Sequence, residues 1–343
     1  MKYEDEQIAN LILSLKKLKG IGNKTIQKML KTNKKELETT TNYTETFLRS
    51  LKNNSIIKGL DNSTVSWATL QKNAAESLEI AFKENILVLH PYMKEYPQRL
   101  LVNESFPPLL FCKGDIKILN SSKIVAIIGT REPTEFGSKM GLRLSSLLAE
   151  NGYVVVSGLA VGCDTIGHLG ALEATGKTVA VLPTPIDASV YPKNNQNLAD
   201  EIVEKGGLLI SEYEPGKKMQ GRELVANLVA RDEWQSGLSD GVIAIETSLK
   251  GGSNHAIKHA IRTKTPLALF DYSSRLGEEF FKNDRYSGNV KYIKTGEAMP
   301  IFLPETIEIF RKSMDEYYSN LTFKNWIFKK REKQQEAKQI KLF

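Results

Sequence analysis

Three short turns rich in glycine carry the residues of this sequence that are best suited to hold an anion. They are Gly129-Thr130-Arg131, Ser157-Gly158 and Gly251-Gly252-Ser253; the first two follow apolar runs, and the third opens a predicted helix. Backbone N–H groups at a helix N-terminus favour negative charge, and phosphate suits them well. Arg131 adds a planar cation that matches phosphate oxygens. Together the turns predict a phosphate-binding edge, whereas each turn alone is more often structural.

Two glutamates leave an enzymatic interpretation open. The sequence contains neither G-x-G-x-x-G nor G-x-x-x-x-G-K-[ST], so tight dinucleotide binding and P-loop hydrolysis are disfavoured. Glu212 and Glu246, however, each follow an apolar run at the same predicted edge. These carboxylates could hold a ribose hydroxyl, attack a glycosidic carbon, or form ion pairs with Arg131 or Arg231. The structural role is favoured.

The histidines are poor catalytic or metal-binding candidates. Asp164 and His168 have i, i+4 spacing, and we expect them to pair as a local hydrogen-bond brace. His255 and His259 share that spacing, but the sequence has no glutamate between them in the H-E-x-x-H arrangement and no evident third ligand. We therefore expect both rings to be exposed near a helix end.

The N-terminal segment offers a second phosphate contact. Its pattern Leu15-x-x-Leu18-x-Gly20-Ile21-Gly22, followed by further apolar residues at helical spacing, is that of a helix-hairpin-helix. In that motif the glycines let the backbone approach a DNA phosphate, and Lys24 would lie close by. An ordinary pair of packed helices with a glycine cap is the alternative.

Short apolar runs must position the glycine-rich turns. After a first run at 109–112, six further apolar runs occupy 124–128, 154–156, 178–182, 208–210, 242–245 and 266–270. Helical stretches such as 137–150 and 256–262 separate them. Continuous apolar strands that alternate with amphipathic helices indicate a mostly parallel sheet covered on both faces. We predict an α/β, Rossmann-like doubly wound fold, in which ligands bind beyond the carboxyl ends of the strands.

The organisation along the chain follows from these patterns. Before the sheet, 68–82 is predicted to form a helix, and 32–65 is rich in Thr, Asn and Ser, typical of short helices or loops. Four regions are predicted: a small all-α helix-hairpin-helix or SAM-like domain at 1–85, a linker and edge strand at 86–122, the Rossmann-like core at 123–310, and a helical basic tail at 311–343.

Positive charge is concentrated at the two ends of the 343-residue chain. Its net charge is +7: residues 1–120 carry +5, 121–270 carry −1, 271–320 carry −2, and 321–343 carry +5. This balance is compatible with a polyanionic partner such as nucleic acid, and equally with two solvated basic ends.

The composition indicates which class of protein this is and which cellular compartment suits it. Apolar residues make up 41% and charged residues 25%, which is typical of a globular protein. The apolar runs are too short to span a bilayer, and the N-terminal ten residues carry no apolar signal core. Cys112 and Cys163 are too few for a disulfide framework or a cysteine zinc site. We expect a reduced, cytoplasmic protein with no membrane partner, metal or other cofactor.

Several separated blocks resemble the DNA-processing protein A (DprA/Smf) family, over about residues 96–270. Their order and spacing are those of the family, and the N-terminal hairpin is similar to its small helical domain. The blocks include Phe106-Pro107-Pro108-Leu109-Leu110-Phe111-x-Lys113-Gly114, Gly129-Thr130-Arg131-x3-Thr134-x-x-Gly137, Ser157-Gly158-Leu159-Ala160-x-Gly162-x-Asp164-x3-His168, Gly176-Lys177-Thr178, Val190-Tyr191-Pro192-x-Asn194 and Gly207-Leu208-Leu209-Ile210-Ser211-Glu212-Tyr213.

The resemblance implies a function. It implies a homodimer that binds single-stranded DNA without sequence preference and helps to load a RecA-type recombinase, and it does not imply a catalyst. Phosphate-binding turns at strand ends agree with that role. The predicted cationic contacts are Arg131, Lys177, Lys193 and Arg231. The predicted backbone or hydroxyl donors are Gly129, Thr130, Ser157, Gly158, Gly251, Gly252 and Ser253.

The chain also departs from the family pattern. R-N-R-I-I-A-G-L is replaced by Arg231-Asp232-Glu233-Trp234-Gln235-Ser236-Gly237-Leu238, and A-R-G-I-D by Ala160-Val161-Gly162-Cys163-Asp164, so two arginines are lost. Weaker DNA binding is therefore expected, and other roles stay open. These are a nucleotide sensor, an N-glycosidic hydrolase using Glu212 or Glu246, a protein of toxin control or phage defence, and an interaction protein that uses the tail and helical domain.

Overall fold

The computed structural model describes residues 3–32, 37, 66–102, 106–174, 176–219 and 221–321. Most of the segment predicted as short helices or loops, 32–65, and the basic tail beyond Leu321 lie outside these residues. The chain divides into two units: the first ends at Phe111, and the second is Cys112–Leu321. No helix among the described ranges has the length and apolar character needed to cross a membrane.

The first unit is mainly helical. Its amphipathic helices bury Leu11, Ile12 and Leu15 completely, since apolar side chains recur on one face of each helix. The helix predicted at 68–82 is confirmed, and the Ser66 hydroxyl caps it by accepting from the Thr69 N–H at 3.2 Å. The elements are α1 (Tyr3–Lys16), α2 (Asn23–Thr32), α3 (Trp67–Lys83), β1 (Leu87–Leu89), α4 (Gln98–Val102) and β2 (Leu110–Gly114), which crosses the boundary.

The second unit contains seven parallel strands, of which the apolar runs predict six; the seventh, Met299–Ile301, was not predicted. Their order is β6-β5-β4-β3-β7-β8-β9, and every neighbouring pair is parallel. The chain moves outward from β3 to β6 and then returns to place β7 on the other side of β3, so the connection reverses beside β3. The strands are β3 (Ile124–Ile128), β4 (Val154–Ser157), β5 (Thr178–Val181), β6 (Leu208–Ser211), β7 (Gly241–Ala244), β8 (Leu267–Phe270) and β9 (Met299–Ile301).

Helices cover both faces of this sheet, which confirms the doubly wound α/β prediction. Side chains alternate along β3, so Val125 and Ile127 join one core cluster while Ala126 and Ile128 join another. The helices are α5 (Glu135–Glu150), α6 (Cys163–Ala174), α7 (Gln196–Glu204), α8 (Arg222–Gly237), α9 (Asn254–Thr263), α10 (Ser273–Leu276), α11 (Glu278–Lys282), α12 (Ser287–Lys294) and α13 (Pro304–Asn320).

Helix α13 continues through the predicted start of the tail at residue 311. Phe310 and Met314 on this helix are buried against the sheet. A Cβ added at Gly241 would lie 2.6 Å from the Met314 Sδ, so glycine at the start of β7 permits this close approach. Residues 311–320 therefore pack with the Rossmann-like unit.

Candidate functional site

A cleft of about 380 Å³ opens at the carboxyl ends of the strands, beside the point where the sheet connection reverses. This is where a doubly wound sheet binds ligands. The structure brings seven of the predicted residues into its lining: Gly129, Thr130, Arg131, Arg231, Gly251, Gly252 and Ser253. Three polar residues in the lining were not among the predicted contacts: Asp164, Asp232 and Gln235.

The turn after β3 is fixed tightly at one side of the cleft. The Thr130 N–H donates to the Glu246 carbonyl at 2.7 Å, and the Cys163 N–H donates to the Thr130 carbonyl at 3.0 Å. A Cβ at Gly129 would lie 2.5 Å from the Cys163 Sγ, so a larger residue does not fit. Arg131, which follows directly, is exposed. A rigid backbone thus presents one accessible guanidinium to the cleft.

The turn before α9 supplies free donors. Ser253 is the N-cap of this helix, and its hydroxyl lies 2.7 Å from the Thr247 hydroxyl. Asn254 braces the turn by donating to the Ser248 and Gly251 carbonyls. Within the described residues, the N–H groups of Gly252 and Ser253 donate to no protein acceptor. Two N–H groups at the positive end of a helix are therefore available to an anion.

The turn after β4 has a different role from the one the sequence suggests. Ser157 is completely buried and donates through its hydroxyl to the Ile127 carbonyl at 2.6 Å. A Cβ at Gly158 would overlap the guanidinium of Arg231. Neither residue is among those that line the cleft. The glycine makes room for a buried arginine, and the serine ties β4 to β3.

Arg231 lines the cleft but is 4% exposed. Its Nη1 lies 3.5 Å from the Asp164 Oδ2 and donates to the Val181 carbonyl at 3.3 Å. Its Nε lies 3.3 Å from the Asp232 Oδ1. The ion-pair partners of this arginine are thus Asp164 and Asp232, whereas the sequence suggested Glu212 or Glu246.

The pKa values of Asp164 and Asp232 are both raised. Burial raises the pKa of Asp164, although the nearby Arg231 opposes that shift. Burial also raises the pKa of Asp232 to about 7, again against the attraction of Arg231. With both carboxyls ionised, they balance the charges of Arg131 and Arg231, and the lining is formally neutral. The cleft is therefore not a basic groove once both carboxyls are ionised, and protonation of Asp232 near neutral pH adds one positive charge to it.

The two predicted lysines lie outside this lining. Lys177 directly precedes β5, so it lies at the amino ends of the parallel strands, and its Nζ donates to the Gly206 carbonyl at 3.4 Å. The structure therefore separates Lys177 from the cleft. Lys193 is exposed in the loop after β5, at the same edge of the sheet as the cleft. The neighbouring Asn195 ties that loop to the Leu159 carbonyl at 2.8 Å.

The two candidate catalytic glutamates contact protein donors. Glu246 is completely buried and accepts from the N–H of Thr134, the N-cap of α5, at 2.9 Å. An anion at this helix N-terminus is stabilised by the helix dipole. Glu212, which is 7% exposed, accepts from the Trp234 Nε1 and the Tyr213 hydroxyl, both at 3.2 Å. These contacts support the structural role favoured from the sequence.

The predicted brace between Asp164 and His168 is wrong. Asp164 pairs with Arg231, while the His168 Nδ1 lies 2.7 Å from the Thr178 hydroxyl. Burial, helped by the charge of Arg231, lowers the pKa of His168 to about 3. Spacing along a helix places two residues on one face, but a closer partner from another element can take precedence.

Only one of the two histidines on α9 is exposed as expected. His255 is exposed, but His259 is buried because α9 packs against α8, and its Nδ1 lies 3.0 Å from the Ser236 hydroxyl. Burial lowers the pKa of His259 to about 4. Across the described ranges, no group of three or more His, Cys, Asp and Glu side chains is arranged to hold a metal ion.

Several residues of α8 that depart from the family pattern contact a neighbouring side chain. The Gln235 Nε2 donates to the Asp232 Oδ1 at 3.0 Å, and Glu233 pairs with Arg262 at 3.4 Å. As described above, Trp234 contacts Glu212 and Ser236 contacts His259. The i, i+4 spacing of Arg231 and Gln235 was the signal that could have placed both at one site.

The N-terminal hairpin exposes its predicted contacts. Gly20, Gly22 and Lys24 are all exposed between α1 and α2. Gly20 has a φ of +83°, a left-handed conformation that favours glycine. The Gly22 carbonyl accepts from the Thr25 and Ile26 N–H groups at the start of α2. This geometry fits a phosphate contact and an ordinary helix connection equally, so the DNA contact stays a prediction.

Comparison with curated proteins finds similar sequences in several bacteria. Protein Smf of Synechocystis is 35% identical over 191 residues, which cover 55% of this chain and 46% of that protein. The DNA processing protein DprA of Streptococcus pneumoniae is 40% identical over 158 residues, covering 46% of this chain and 53% of that protein. The chain therefore spans about half the length of the curated relatives that it matches.

Solved structures extend the similarity. DNA processing protein A from Streptococcus pneumoniae superposes with a TM-score of 0.68 at 25% identity, covering 90% of this chain and 98% of that one. DNA processing protein A from Helicobacter pylori, whose structure concerns its single-stranded DNA binding mode, gives a TM-score of 0.56 at 32% identity, covering 67% and 96%. The family profile of the DNA recombination-mediator protein A matches residues 87–311, well over half of the sequence. The chain belongs to the DNA recombination-mediator protein A family.

Proposed function

We propose that this protein binds single-stranded DNA through the cleft and acts in DNA processing or recombination. The observation that carries the proposal is the exposed guanidinium of Arg131 in the same cleft as the free N–H groups of Gly252 and Ser253. A phosphodiester matches both, because it offers anionic oxygens to a planar cation and to a helix N-terminus. The family membership and the DNA-binding relative from Helicobacter pylori support the same function.

The cleft would contribute only part of the affinity. Its lining is formally neutral, so long-range attraction of DNA must come from elsewhere in a chain whose net charge is +7. Arg131 then fixes one phosphate, and the helix N-terminus of α9 fixes it from the other side. A second copy of the chain and a RecA-type recombinase, which the family resemblance implies, complete the proposal.

The test is oligonucleotide binding as a function of salt. Arg131→Ala should weaken binding to a dT oligonucleotide about tenfold, because it removes a charge-assisted hydrogen bond. It should also reduce the slope of log K against log salt by about 0.7, the value for one phosphate contact to a single strand. Fluorescence anisotropy at several salt concentrations measures both quantities.

Lys177→Ala is the matched control, since it removes one positive charge at the opposite edge of the sheet. Its affinity should stay within about twofold of the unaltered protein. An equal loss in the two variants would mean that only overall charge matters, and the cleft would then not be the binding site. Undetectable or salt-independent binding by the unaltered protein would contradict DNA binding altogether.

The volume of the cleft favours a second candidate, a protein that binds a free nucleotide. A pocket of about 380 Å³ lies within the range of small-molecule sites. Thermal shift with nucleoside mono- and diphosphates tests this, because a ligand of the folded state raises the melting temperature. If no nucleotide raises the melting temperature, this second candidate function is excluded.

A further inference from the structure

One wall of the cleft contains an acceptor without a donor. Gln235 lines the cleft and is 2% exposed. Its Nε2 donates to Asp232, while its Oε1 is buried and accepts no hydrogen bond from the part of the chain that the structure describes. Turning the amide around would bring its oxygen against the Asp232 carboxylate whenever that group is ionised. A buried acceptor left unpaired destabilises the folded protein, so its persistence calls for a reason.

A second acceptor lies on the same wall. The Oδ1 of Asp232 accepts a hydrogen bond from the Gln235 Nε2 and lies 3.3 Å from the Arg231 Nε, which is an ion-pair contact without a hydrogen bond. Its Oδ2 accepts no hydrogen bond from any described residue, and the side chain remains 14% exposed. We call Asp232 and Gln235 the acceptor wall. Both residues line the cleft, and each has an acceptor that no described donor uses, so together they suit a ligand group with two neighbouring N–H donors.

We propose that the acceptor wall binds the Watson–Crick edge of a guanine base, so that the cleft prefers a guanine nucleotide. Guanine is the one DNA base with two adjacent donors on that edge, N1–H and the N2 amino group. Adenine, cytosine and thymine each place an acceptor beside their donor, and that acceptor would face a carboxylate or an amide oxygen. Single-stranded bases are commonly recognised through this edge.

The remaining lining suits the rest of a nucleotide. The small side chains of Ala160 and Ala256 leave room for a flat base, and the volume is large enough for one nucleotide. The phosphate would reach Arg131 and the N-terminus of α9, as in the proposed function, on which this inference rests. It differs from that function in adding a preference at one base position.

The experiment compares single-base substitutions in one oligonucleotide. A dT strand with one central dG should bind roughly tenfold or more tightly than the same strand with dA, dC or deoxyinosine at that place. Deoxyinosine is the sharpest comparison, since it lacks only the N2 amino group of guanine. These comparisons use the unaltered chain, so they do not depend on whether a variant folds.

Two near-isosteric variants test whether the acceptor wall causes the preference for guanine. Asp232→Asn and Gln235→Met should each reduce the ratio of dG to deoxyinosine affinity at least several-fold, with the affinity of each variant for the all-dT strand as its own reference. Competition by dGMP against dTMP distinguishes a free nucleotide from a base within a strand.

The outcomes separate the two proposals. Equal affinity for all four bases, with normal salt-dependent binding, would overturn the guanine preference and leave DNA binding intact. A preference that survives in both variants would overturn the assignment to the acceptor wall. Selective binding of dGMP without any strand binding would support guanine recognition and overturn the DNA proposal. Binding of neither strand nor dGMP would overturn both.

Discussion

Two glycine-rich turns at the same edge of the sheet have opposite surroundings. Around Gly252, a Cβ would meet nothing within 4 Å, and the adjoining N–H groups are free. Around Gly158, the same atom would overlap the guanidinium of Arg231. The first turn leaves space for a ligand, whereas the second is already occupied by a side chain of the protein.

The comparison shows what a glycine after a strand does and does not indicate. Absence of a side chain permits close approach, but the approaching group can be a ligand or a residue. At Gly158 the approaching group is a buried arginine, which in turn needs the carboxylates of Asp164 and Asp232. The same local pattern therefore forms part of a binding cleft in one place and of an internal ion-pair network in the other.

Removing the side chain that fills the second turn should have the largest effect. Arg231→Met leaves Asp164 buried beside an uncharged neighbour. The free energy of unfolding, measured with urea, should fall by about 3 kcal/mol. Adding Asp164→Asn should recover part of the loss, because both charges are then gone. Full stability in Arg231→Met would show that the ion pair does not maintain this turn.

A pair of identical substitutions tests the two turns directly. Gly158→Ala forces Arg231 to move and should lower the free energy of unfolding by about 2 kcal/mol. Gly252→Ala, with open space around it, should change that free energy by no more than about 0.5 kcal/mol. Urea unfolding of both variants provides the measurement. If the two variants are equally stable, the contrast between filled and open turns is wrong.

The dependence of stability on pH that Asp232 causes should be smaller per pH unit than the effects of Arg231→Met and Gly158→Ala. The pKa of Asp232 is about 7 in the folded chain against 3.8 as the ordinary value, so the folded state retains a proton that the unfolded state has lost. This contribution stabilises the folded state at low pH and is lost as pH rises from about 4 to about 7. Over that interval, the free energy of unfolding of Asp232→Asn should therefore rise relative to that of the unaltered protein by at most about 1.4 kcal/mol per pH unit.

Urea unfolding of both proteins at about pH 5 and about pH 7.5 measures this change in the free energy of unfolding, because the two pH values lie on either side of the raised pKa. The buried His168 and His259 also titrate abnormally, but they are present in both proteins, so their contributions cancel in the difference. A constant difference across the interval would mean that Asp232 is not protonated in the folded protein at pH 5.

The sequence by itself determined the architecture of the second unit. Runs such as Ile124–Ile128 are apolar on both faces, and that requires a strand covered by helices on both sides. Glycine-rich turns then had to follow those strands, and this order of residues is enough to place Arg131 and residues 251–253 at the ligand-binding edge. Such features depend on the local order of residues, which a sequence contains completely.

Tertiary structure alone decided which charges meet. Asp164 lies four positions from His168 in a helix, yet it pairs with Arg231 from a distant helix. Lys177 and Arg131 look alike as cations near strands, but they lie at opposite ends of the parallel sheet. Ion pairs between different elements depend on strand order and helix packing, which bring together residues that are remote in sequence. Spacing along the chain specifies only which residues are neighbours on the same element.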